Sequence, residues 1–470
     1  MNGQGRVDNR GVGTFLAIWV GQVISGLGTN LTGFALGVSI YQKTGSVSRF
    51  ALLALVTILP GMLVSPVAGA LVDRWDRRWA MIVSDAGAAV STLTLAFLLR
   101  QGRLELWEIF LLLSVTSSFG SLQWPAFSAA TTLMVPRRHL GRASGMVQLG
   151  EAAASILAPV LAGALVVRLG LESIVLIDFG TYLVALATLA VVRVPSPPAT
   201  AEGAAAKGSI LREAASGWGF IRSRPGLLAL LFLISATRLS LGMVQVLLAP
   251  LVLSFASAAV FGRVASIAGC GMLAGSLAVS VWGEGRQRIV GILGLLLFQG
   301  VLLLVGGIRP YAPLVAAAAF LFLFSEPILY ATSQALWQSK VPPDLQGRVF
   351  AMRRLIALSS LSLAYLCAGP LADWVFEPLL APAGPLADSV GRLIGVGKGR
   401  GIALQLIVLG ILVLLTVLTA WRNPHLRRVE QELPDALLGD DPSPSVPTFV
   451  NRTSGTLSSA EVVELPDSSL

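Results

Sequence analysis

The stretch Gly69-Ala70-Leu71-Val72-Asp73-Arg74-Trp75-Asp76-Arg77-Arg78 lies between two long apolar runs, and five of its ten side chains are charged. Such a cluster is too costly to place in the hydrocarbon core of a bilayer, so it must lie in water or among lipid headgroups. The stretch therefore predicts a tight loop between two membrane helices.

The composition of the whole chain is that of a membrane protein. Of its 470 residues, 54% are hydrophobic and only 13% are charged, and the mean hydropathy is +0.77. A soluble protein of this length needs more polar surface. The net charge of +9 does not indicate nucleic-acid binding, because the basic residues are spread over short loops, as membrane orientation requires. The expected partner is the lipid bilayer, with no nucleic acid.

Twelve stretches are long and apolar enough to cross about 30 Å of hydrocarbon. They predict an all-α polytopic membrane protein with twelve transmembrane helices in two six-helix halves. The spans are placed near 14–40, 47–72, 78–100, 106–133, 142–167, 173–193, 227–253, 258–282, 288–307, 312–337, 348–374 and 401–421.

An internal repeat supports the division into two halves. Residues 135–142 and 341–348 both read Val-Pro-x4-Gly-Arg, at an offset of 206 residues. The same offset relates Gly69-x-Leu71 to Gly275-x-Leu277. A duplicated six-helix unit is typical of one large transporter class. The predicted organisation is an N-terminal half at 1–194, a cytoplasmic connector at 195–225, a C-terminal half at 226–422 and a disordered cytoplasmic tail at 423–470.

The orientation follows from the basic residues. With the N-terminus inside, most of the 34 Lys and Arg residues lie on the inner side, as the positive-inside rule requires. We therefore expect a multi-pass protein of the cell membrane with both termini in the cytoplasm.

The stretch at 69–78 resembles the signature loop of the major facilitator superfamily, Gly-x-Leu-x-Asp-Arg-x-Gly-Arg-Arg. Asp76 replaces the second glycine, which is similar to the twelve-helix branch of drug and macrolide exporters, of the proton antiporter type. Three further stretches resemble that branch: Trp124-Pro125-Ala126, Gly347-Arg348-Val349-Phe350 and Gly369-Pro370-Leu371-Ala372-Asp373.

The resemblance implies alternating access, with the signature loop acting as a latch on the cytoplasmic side. Asp73 would lie near the N-terminal end of helix eleven, where free amides and the helix dipole stabilise a carboxylate. Arg77 or Arg78 would pair with an acid such as Asp85. The alternative is that these arginines only enforce topology. The candidate latch residues are Gly69, Asp73, Arg74, Arg77, Arg78, Asp85, Gly347 and Arg348.

Proton coupling by the helix-four arginine of many related exporters is excluded, because residues 111–120 carry no basic side chain. Three other ionisable residues, Glu151, Arg238 and Glu326, lie near the centres of their helices. A charge there is costly, by about 2.5–3.5 kcal/mol on insertion scales, so these groups should face a wet cavity or each other. We expect Glu326 or Glu151 to be the coupling carboxyl and Arg238 to pair with the other acid. The alternative is a static buried network.

Helix one carries a polar stripe at Gln22, Gly26 and Asn30, which predicts a cavity-facing surface, or else hydrogen bonds between helices. Asp178, near the expected outer end of helix six, is interpreted as a structural group. Aromatic residues near the midplane could line an apolar cavity. The candidate cavity residues are Gln22, Asn30, Trp124, Phe127, Phe322 and Tyr330.

These features favour a secondary active transporter, a proton-coupled exporter of small amphipathic compounds such as drugs, macrolides or secondary metabolites. A lysophospholipid or siderophore transporter of the same fold is the alternative, and a membrane receptor or enzyme is less favoured. His139 and His425 are too few for most metal sites, and neither metal nor cofactor is expected. The predicted partners are a small-molecule substrate and protons, and the expected state is a monomer.

Overall fold

The computed structural model describes residues 4–102, 104–136, 140–192, 218–282 and 287–432. Within these ranges the chain is almost entirely helical and contains no strand. The first four helices of the N-terminal half are α1 (Gln4–Thr44), α2 (Val47–Arg74), α3 (Arg77–Arg100) and α4 (Leu106–Met134).

The fifth and sixth helices form one continuous element, Leu140–Val191, that is broken at Gly170. Gly170 has φ 78°, a left-handed conformation that L side chains rarely adopt. The chain therefore turns at this residue and yields two spans, α5 (140–169) and α6 (171–191).

The C-terminal half repeats the arrangement. Its helices are α7 (Pro225–Leu253), α8 (Ala258–Trp282), α9 (Arg288–Ile308), α10 (Ala312–Lys340), α11 (Pro343–Pro370) and α12 (Arg400–Arg422). A π-helical turn, Leu371–Phe376, and the short helix Glu377–Leu379 extend α11. The prediction of twelve helices in two sets of six is confirmed.

Ten helical segments of the described chain are long and apolar enough to cross a membrane, and one of them, Gly145–Val191, contains both α5 and α6. The remaining helix, α4, is absent from this set because it carries many hydroxyl side chains. Two of these residues, Thr116 and Ser117, line a cavity of the N-terminal half.

The stretch at 69–78, which we call the signature stretch, is made of the end of α2 and the start of α3, joined by a tight turn. Helix α2 ends at Arg74, Trp75 is extended, and Asp76 is the N-cap of α3. The Asp76 carboxylate accepts hydrogen bonds from the backbone N–H groups of Arg78 (2.8 Å) and Trp79 (3.4 Å). Asp76, at the position of the family glycine, thus starts α3 by satisfying its free amides.

Among the described residues, the two halves share a hydrophobic core at one end of the bundle only. We call this the closed end; it contains Thr44, Val47 and Asp373. The shared core there joins Val38, Tyr41 and Leu55 of the N-terminal half to residues of α7, α8 and α11. Phe34 of α1 also stacks on Phe261 of α8, with ring centroids 4.9 Å apart.

At the opposite end, which we call the open end, each half has its own core. One core, around Phe15, Ile18 and Met81, contains only residues of the N-terminal half. The other, around Leu230 and Trp337, joins residues of the C-terminal half to Ile221 before it and to Leu426 and Val429 after it, and contains none of the N-terminal half. The two halves therefore pack against each other at the closed end, whereas at the open end each half packs only against itself.

The segment after α12 differs from the predicted disordered tail at 423–470. Short helices Pro424–Arg427 and Val429–Glu432 follow α12 directly. Leu426 and Val429 are buried in the core of the C-terminal half, so this part of the chain has enough apolar side chain to pack. Residues 433–470 lie outside the described ranges, as do residues 193–217, which include most of the connector predicted at 195–225.

Candidate functional site

A cavity of about 420 Å³ lies inside the N-terminal half, enclosed mainly by α1, α3, α4 and α6. Its wall is rich in hydroxyl, amide and carboxyl groups. The polar residues that matter most are Gln22, Ser25, Thr29, Thr92, Gln123, Asp85, Asp178 and Tyr182.

Asp85 of α3 is one of the two acids of this cavity and is only 4% exposed. Its Oδ2 accepts a 2.9 Å hydrogen bond from Gln22 Nε2 of α1. The predicted pairing of Asp85 with Arg77 or Arg78 is therefore not the arrangement in this structure. Seven residues, about two helical turns, separate Arg78 from Asp85, and Arg78 is directed toward the open end instead.

Asp178 of α6 is the second acid and is 2% exposed. Its carboxylate lies 3.4 Å from the hydroxyl of Thr29, and that hydroxyl also makes a 2.8 Å hydrogen bond with the hydroxyl of Tyr182. Gly28 allows this close approach, because a Cβ there would meet Thr181 and Asp178. Asp178 thus lines the cavity as well as taking part in helix packing.

A second cavity of about 440 Å³ adjoins the first, and both are lined by Gln22, Gly26, Asn30 and Gln123. Glu151 of α5 lines it and is exposed, with no ion pair to another described residue. Four of the six predicted cavity residues line this second cavity: Gln22, Asn30, Trp124 and Phe127.

Glu326 and Arg238 meet in the C-terminal half. Arg238 Nη1 lies 3.6 Å from Glu326 Oε2. Gln299 of α9 donates a 2.9 Å hydrogen bond to Glu326 Oε1 and another to the hydroxyl of Ser325. Of the three predicted midplane charges, these two are therefore brought together, and Glu151 lies apart from them.

The two remaining cavity candidates lie away from the N-terminal cavities. Phe322 is 2% exposed and lines a small apolar cavity of the C-terminal half. Tyr330 is 54% exposed, and its ring centroid lies 5.6 Å from the guanidinium carbon of Arg238.

Arg77 and Arg78 bind backbone carbonyl groups at the open end. Arg78 donates 2.7 Å hydrogen bonds to the carbonyls of Leu189 and Ala190 at the end of α6. Arg77 donates to the carbonyl of Ala129 in α4. The Leu189 and Ala190 carbonyls lie in the last turn of their helix and carry partial negative charge, which a guanidinium group satisfies well. The arginines therefore tie the helices of the N-terminal half to one another.

The other latch candidates are only partly described. The backbones of Gly69, Asp73 and Arg74 belong to α2, and those of Gly347 and Arg348 belong to α11. The surroundings of their side chains lie outside the described part of the structure, so the proposed contact of Asp73 with α11 stays a prediction.

Asp373 joins the two halves at the closed end. This residue, in the π-helical extension of α11, accepts hydrogen bonds from the Ser46 hydroxyl (2.7 Å) and from the backbone N–H groups of Val47 and Ser48 (2.9 Å each). A second contact between the halves lies on α5 and α8, where the Ser266 hydroxyl donates to the Ile156 carbonyl at 2.6 Å.

Sequence reasoning missed the cavity role of Asp178, the bridging role of Gln299 and the cap formed by Asp373. Asp178 and Gln299 are polar residues inside long apolar runs, and this signal could have identified both. Asp373 also lies in a predicted span, but the local sequence could not identify its partners, which are more than 300 positions away in the chain.

The model of the Major Facilitator Superfamily matches residues 18–365. Among curated proteins, the chain is 28% identical over 365 residues to macrolide efflux protein A of Streptococcus pyogenes, covering 76% of this chain and 89% of that protein. It is 25% identical to the multidrug efflux pump Tap of Mycolicibacterium fortuitum, covering 77% and 90%. It is 24% identical over 430 residues to the enterobactin exporter EntS of Shigella flexneri, covering 91% and 95%.

Solved structures share the fold. A bacterial homologue of the human lysosomal transporter Spinster, in an inward-facing and unoccupied conformation, superposes with a TM-score of 0.66 at 13% identity. The match covers 88% of this chain and 97% of that one.

Proposed function

The chain belongs to the Major Facilitator Superfamily, and from this premise we propose that it is a proton-coupled exporter of small amphipathic molecules that works by alternating access. The family and its relatives place it among multi-pass membrane transporters of small molecules. Direction, coupling ion and substrate class are the parts that we propose.

One observation carries the alternating-access part of the proposal. The two halves share a core at the closed end and have separate cores at the open end. Two bodies joined at one end can rock about a central cavity, which exposes that cavity first to one side and then to the other. With both termini in the cytoplasm, as the positive-inside rule indicates, the closed end faces outward and this is the inward-open state.

Two contacts would act as gates in this cycle. On the outer side, Asp373 caps α2 from α11. On the inner side, the latch residues of the signature stretch, above all Asp73, would cap the N-terminal end of α11 around Gly347 in the alternate state. A carboxylate on α2 would then cap α11 when one side closes, and a carboxylate on α11 caps α2 when the other side closes.

Glu151 and Glu326 are the proposed coupling carboxyls. Burial in a medium of low polarity disfavours the charged form of a carboxyl group, and an adjacent cation restores it. Because Arg238 pairs with Glu326 here, Glu151 is the one of these two glutamates that faces a cavity without a basic partner among the described residues. Glu151 is thus the simpler candidate for exchanging protons with water in the inward-open state.

The substrate class is proposed from the cavity walls and the relatives. Trp124 and Phe127 supply apolar surface and Gln22 and Asn30 supply amides, which together suit amphipathic molecules. The relatives named for macrolide and multidrug efflux support this class. The relative named as an enterobactin exporter, which is covered over nearly its whole length, favours siderophore export as the second candidate. Membership of a transporter family weighs against the remaining alternatives, an enzyme or a receptor.

The test is uptake into proteoliposomes with an imposed pH gradient, using fluorescent dyes, a macrolide and a siderophore. We expect gradient-driven movement of the dyes or the macrolide. Movement of none of them, or movement that ignores the gradient, would contradict the proposal.

Single substitutions then separate the two acids. Glu151→Gln should abolish gradient-driven accumulation and preserve downhill exchange if Glu151 carries the proton, and Glu326→Gln should do so if Glu326 does. The exposed Asp388→Asn serves as a matched control, because it removes a carboxylate outside the cavities.

A further inference from the structure

We propose that the cavity inside the N-terminal half binds a bulky organic cation, such as a protonated or quaternary amine, between the carboxylates of Asp85 and Asp178. The inference rests on the proposed export function and narrows it, since it selects cationic over anionic substrates.

The spacing of the two acids follows from their partners on α1. Asp85 accepts a hydrogen bond from Gln22, and Asp178 lies beside Thr29. Gln22 and Thr29 are seven residues apart, so at 1.5 Å per residue the two acids contact α1 at points about 10 Å apart along its axis. Ser25 lies between these points on the same helix and lines the same cavity. A cation beside Ser25 would interact with both carboxylates.

Unsatisfied polar groups face this space. Ser25 is 3% exposed and Thr92 is 5% exposed, and neither hydroxyl makes a hydrogen bond with another described residue. Both polar side-chain atoms of Gln123 are buried without a hydrogen-bond partner. Buried polar groups in folded proteins nearly always have a partner, so these groups can be satisfied by water or by a ligand inside the cavity.

The charges that line the cavity determine the sign of the charge that a ligand must carry. Its titratable groups are Asp85 on α3 and Asp178 and Tyr182 on α6, and Glu151 on α5 faces the adjoining cavity. The described residues of α1, α2 and α4 that line these cavities contribute amide, hydroxyl, indole and apolar groups only, and none of the lining residues is basic. A buried carboxylate without a cation is costly, so each acid must bind either a proton or a cation from outside. An anionic ligand would add repulsion.

The spacing of the two acids also favours an organic cation over a bare metal ion as the ligand. Oxygen ligands lie about 2.3–2.6 Å from Ca²⁺, whereas the two carboxylates contact residues of α1 that are two helical turns apart, so a larger cation matches their arrangement better than one small ion. In the described part of the chain, no three His, Cys, Asp or Glu side chains come together as a metal site. A cation with apolar substituents fits the span better, and the adjoining aromatic wall with Trp124 and Phe127 can hold those substituents.

The test measures binding of tetraphenylphosphonium, whose charge is independent of pH, to the purified full-length protein. Triphenylphosphine oxide is the neutral comparison. We expect the phosphonium to bind and its Kd to rise by about tenfold for each of Asp85→Asn and Asp178→Asn, since each substitution removes one charged contact. Asp388→Asn, an exposed carboxylate outside the cavity, should leave the Kd unchanged.

A pH titration of the unsubstituted protein keeps the test decisive even if a variant fails to fold. Protons compete with the cation for the two carboxylates, so the Kd for the phosphonium should rise as the pH falls, and the binding of the neutral oxide should not follow it. A phosphonium Kd that ignores both pH and the two substitutions would overturn the inference.

The outcome also distinguishes this inference from the proposed function. Gradient-driven export of a neutral dye by a protein that does not bind the phosphonium would overturn the cation site alone. Phosphonium binding without any gradient-driven transport would support the site and overturn the export function.

Discussion

The carboxylate of Asp373, in the extension of α11, accepts a 2.9 Å hydrogen bond from the backbone N–H of Val47, the first residue of α2. The same carboxylate also accepts from Ser46 and Ser48. A negative charge at a helix N-terminus is stabilised by the free amides and by the helix dipole. A residue of one half thus caps a helix of the other, so opening the closed end must break this cap.

We predict that Asp373→Ala shifts the protein toward the state in which the closed end is open. Loss of a helix cap costs about 0.5–2 kcal/mol, and hydrogen bonds to a charged group contribute about 1.5–3 kcal/mol each. A shift of one or two kcal/mol changes a population ratio by a factor of about 5–30. The measurement is the distance between spin labels at the exposed Lys43 and Leu393, with Cys270 and Cys367 replaced beforehand. The ratio of molecules with a long label distance to molecules with a short one should rise by that factor.

Asp373→Asn provides the graded comparison, because the amide oxygen can still accept one backbone hydrogen bond but carries no charge. It should give a smaller shift than Asp373→Ala. Label distances that are identical in all three proteins would show that the cap does not control the closed end.

Close packing of α5 on α8 makes a second prediction. A Cβ at Gly262 would overlap the carbonyl oxygen of Pro159 across the boundary between the halves. Gly262→Leu should therefore keep the two halves apart at the closed end and abolish transport, while each half still folds. Gly291→Leu, at an exposed glycine of α9 whose Cβ would meet nothing within 4 Å, is the matched control.

The Gly262 experiment needs two readouts, transport and thermal unfolding of the purified protein. Full transport by Gly262→Leu would mean that α5 and α8 do not need this close contact. Equal losses in the Gly262 and Gly291 variants would mean that leucine is tolerated at neither position.

We expect that removing one partner of the ion pair between Arg238 and Glu326 destabilises the C-terminal half more than removing both partners. Glu326→Ala leaves a guanidinium group near the membrane centre without its carboxylate, and removing one partner of a buried pair costs about 3–5 kcal/mol. Arg238 is partly exposed, so we expect the lower part of that range. The double variant with Arg238→Met should be more stable than Glu326→Ala alone.

A double-mutant cycle measured by unfolding in mixed micelles quantifies this coupling. If the effects of Arg238→Met and Glu326→Ala on the free energy of unfolding are additive, the 3.6 Å pair contributes nothing to stability. Gln299→Leu should weaken the coupling further, because Gln299 holds the Glu326 carboxylate in place.

Asp76 should contribute to stability through its cap on α3. Asp76→Ala removes the acceptor for the Arg78 and Trp79 amides and should cost about 1 kcal/mol, whereas Asp76→Gly, the residue of the family pattern, should cost only a few tenths of a kcal/mol. Asp76→Asn retains an acceptor and is the control. A loss in Asp76→Asn as large as in Asp76→Ala would indicate that charge, not capping, is what matters at this position.

The number and order of the helices could be predicted from the sequence because each span depends on local composition. About 20 apolar residues must cross the bilayer whatever the rest of the chain does. The 206-residue repeat and the stretch at 69–78 supported the two halves and the superfamily in the same local way. Pairing between distant residues was harder. Arg238 was expected to pair with Glu151 or with Glu326, because charges near the midplane have few alternatives, and helix packing selected Glu326.

Asp85, Asp178 and Asp373 show what sequence could not supply. The family resemblance suggested Arg77 or Arg78 as the partner of Asp85, but in the folded bundle Gln22 of α1 is its hydrogen-bond partner. Asp178 looked peripheral by its position in α6, yet helix packing turned it into the cavity beside Thr29. Hydrogen-bond partners in a helical bundle depend on which faces meet, and side-chain spacing within one helix does not determine that.

The sequence by itself determined the class of the protein, its twelve spans, its duplication and its family, because hydrophobic length and short motifs are local properties. Only the tertiary structure decided which acids share a cavity, which residue caps α2 and at which end the halves meet. Each of these requires residues from different helices to occupy one place, and in a bundle that position is set by the packing of whole helices rather than by any one stretch.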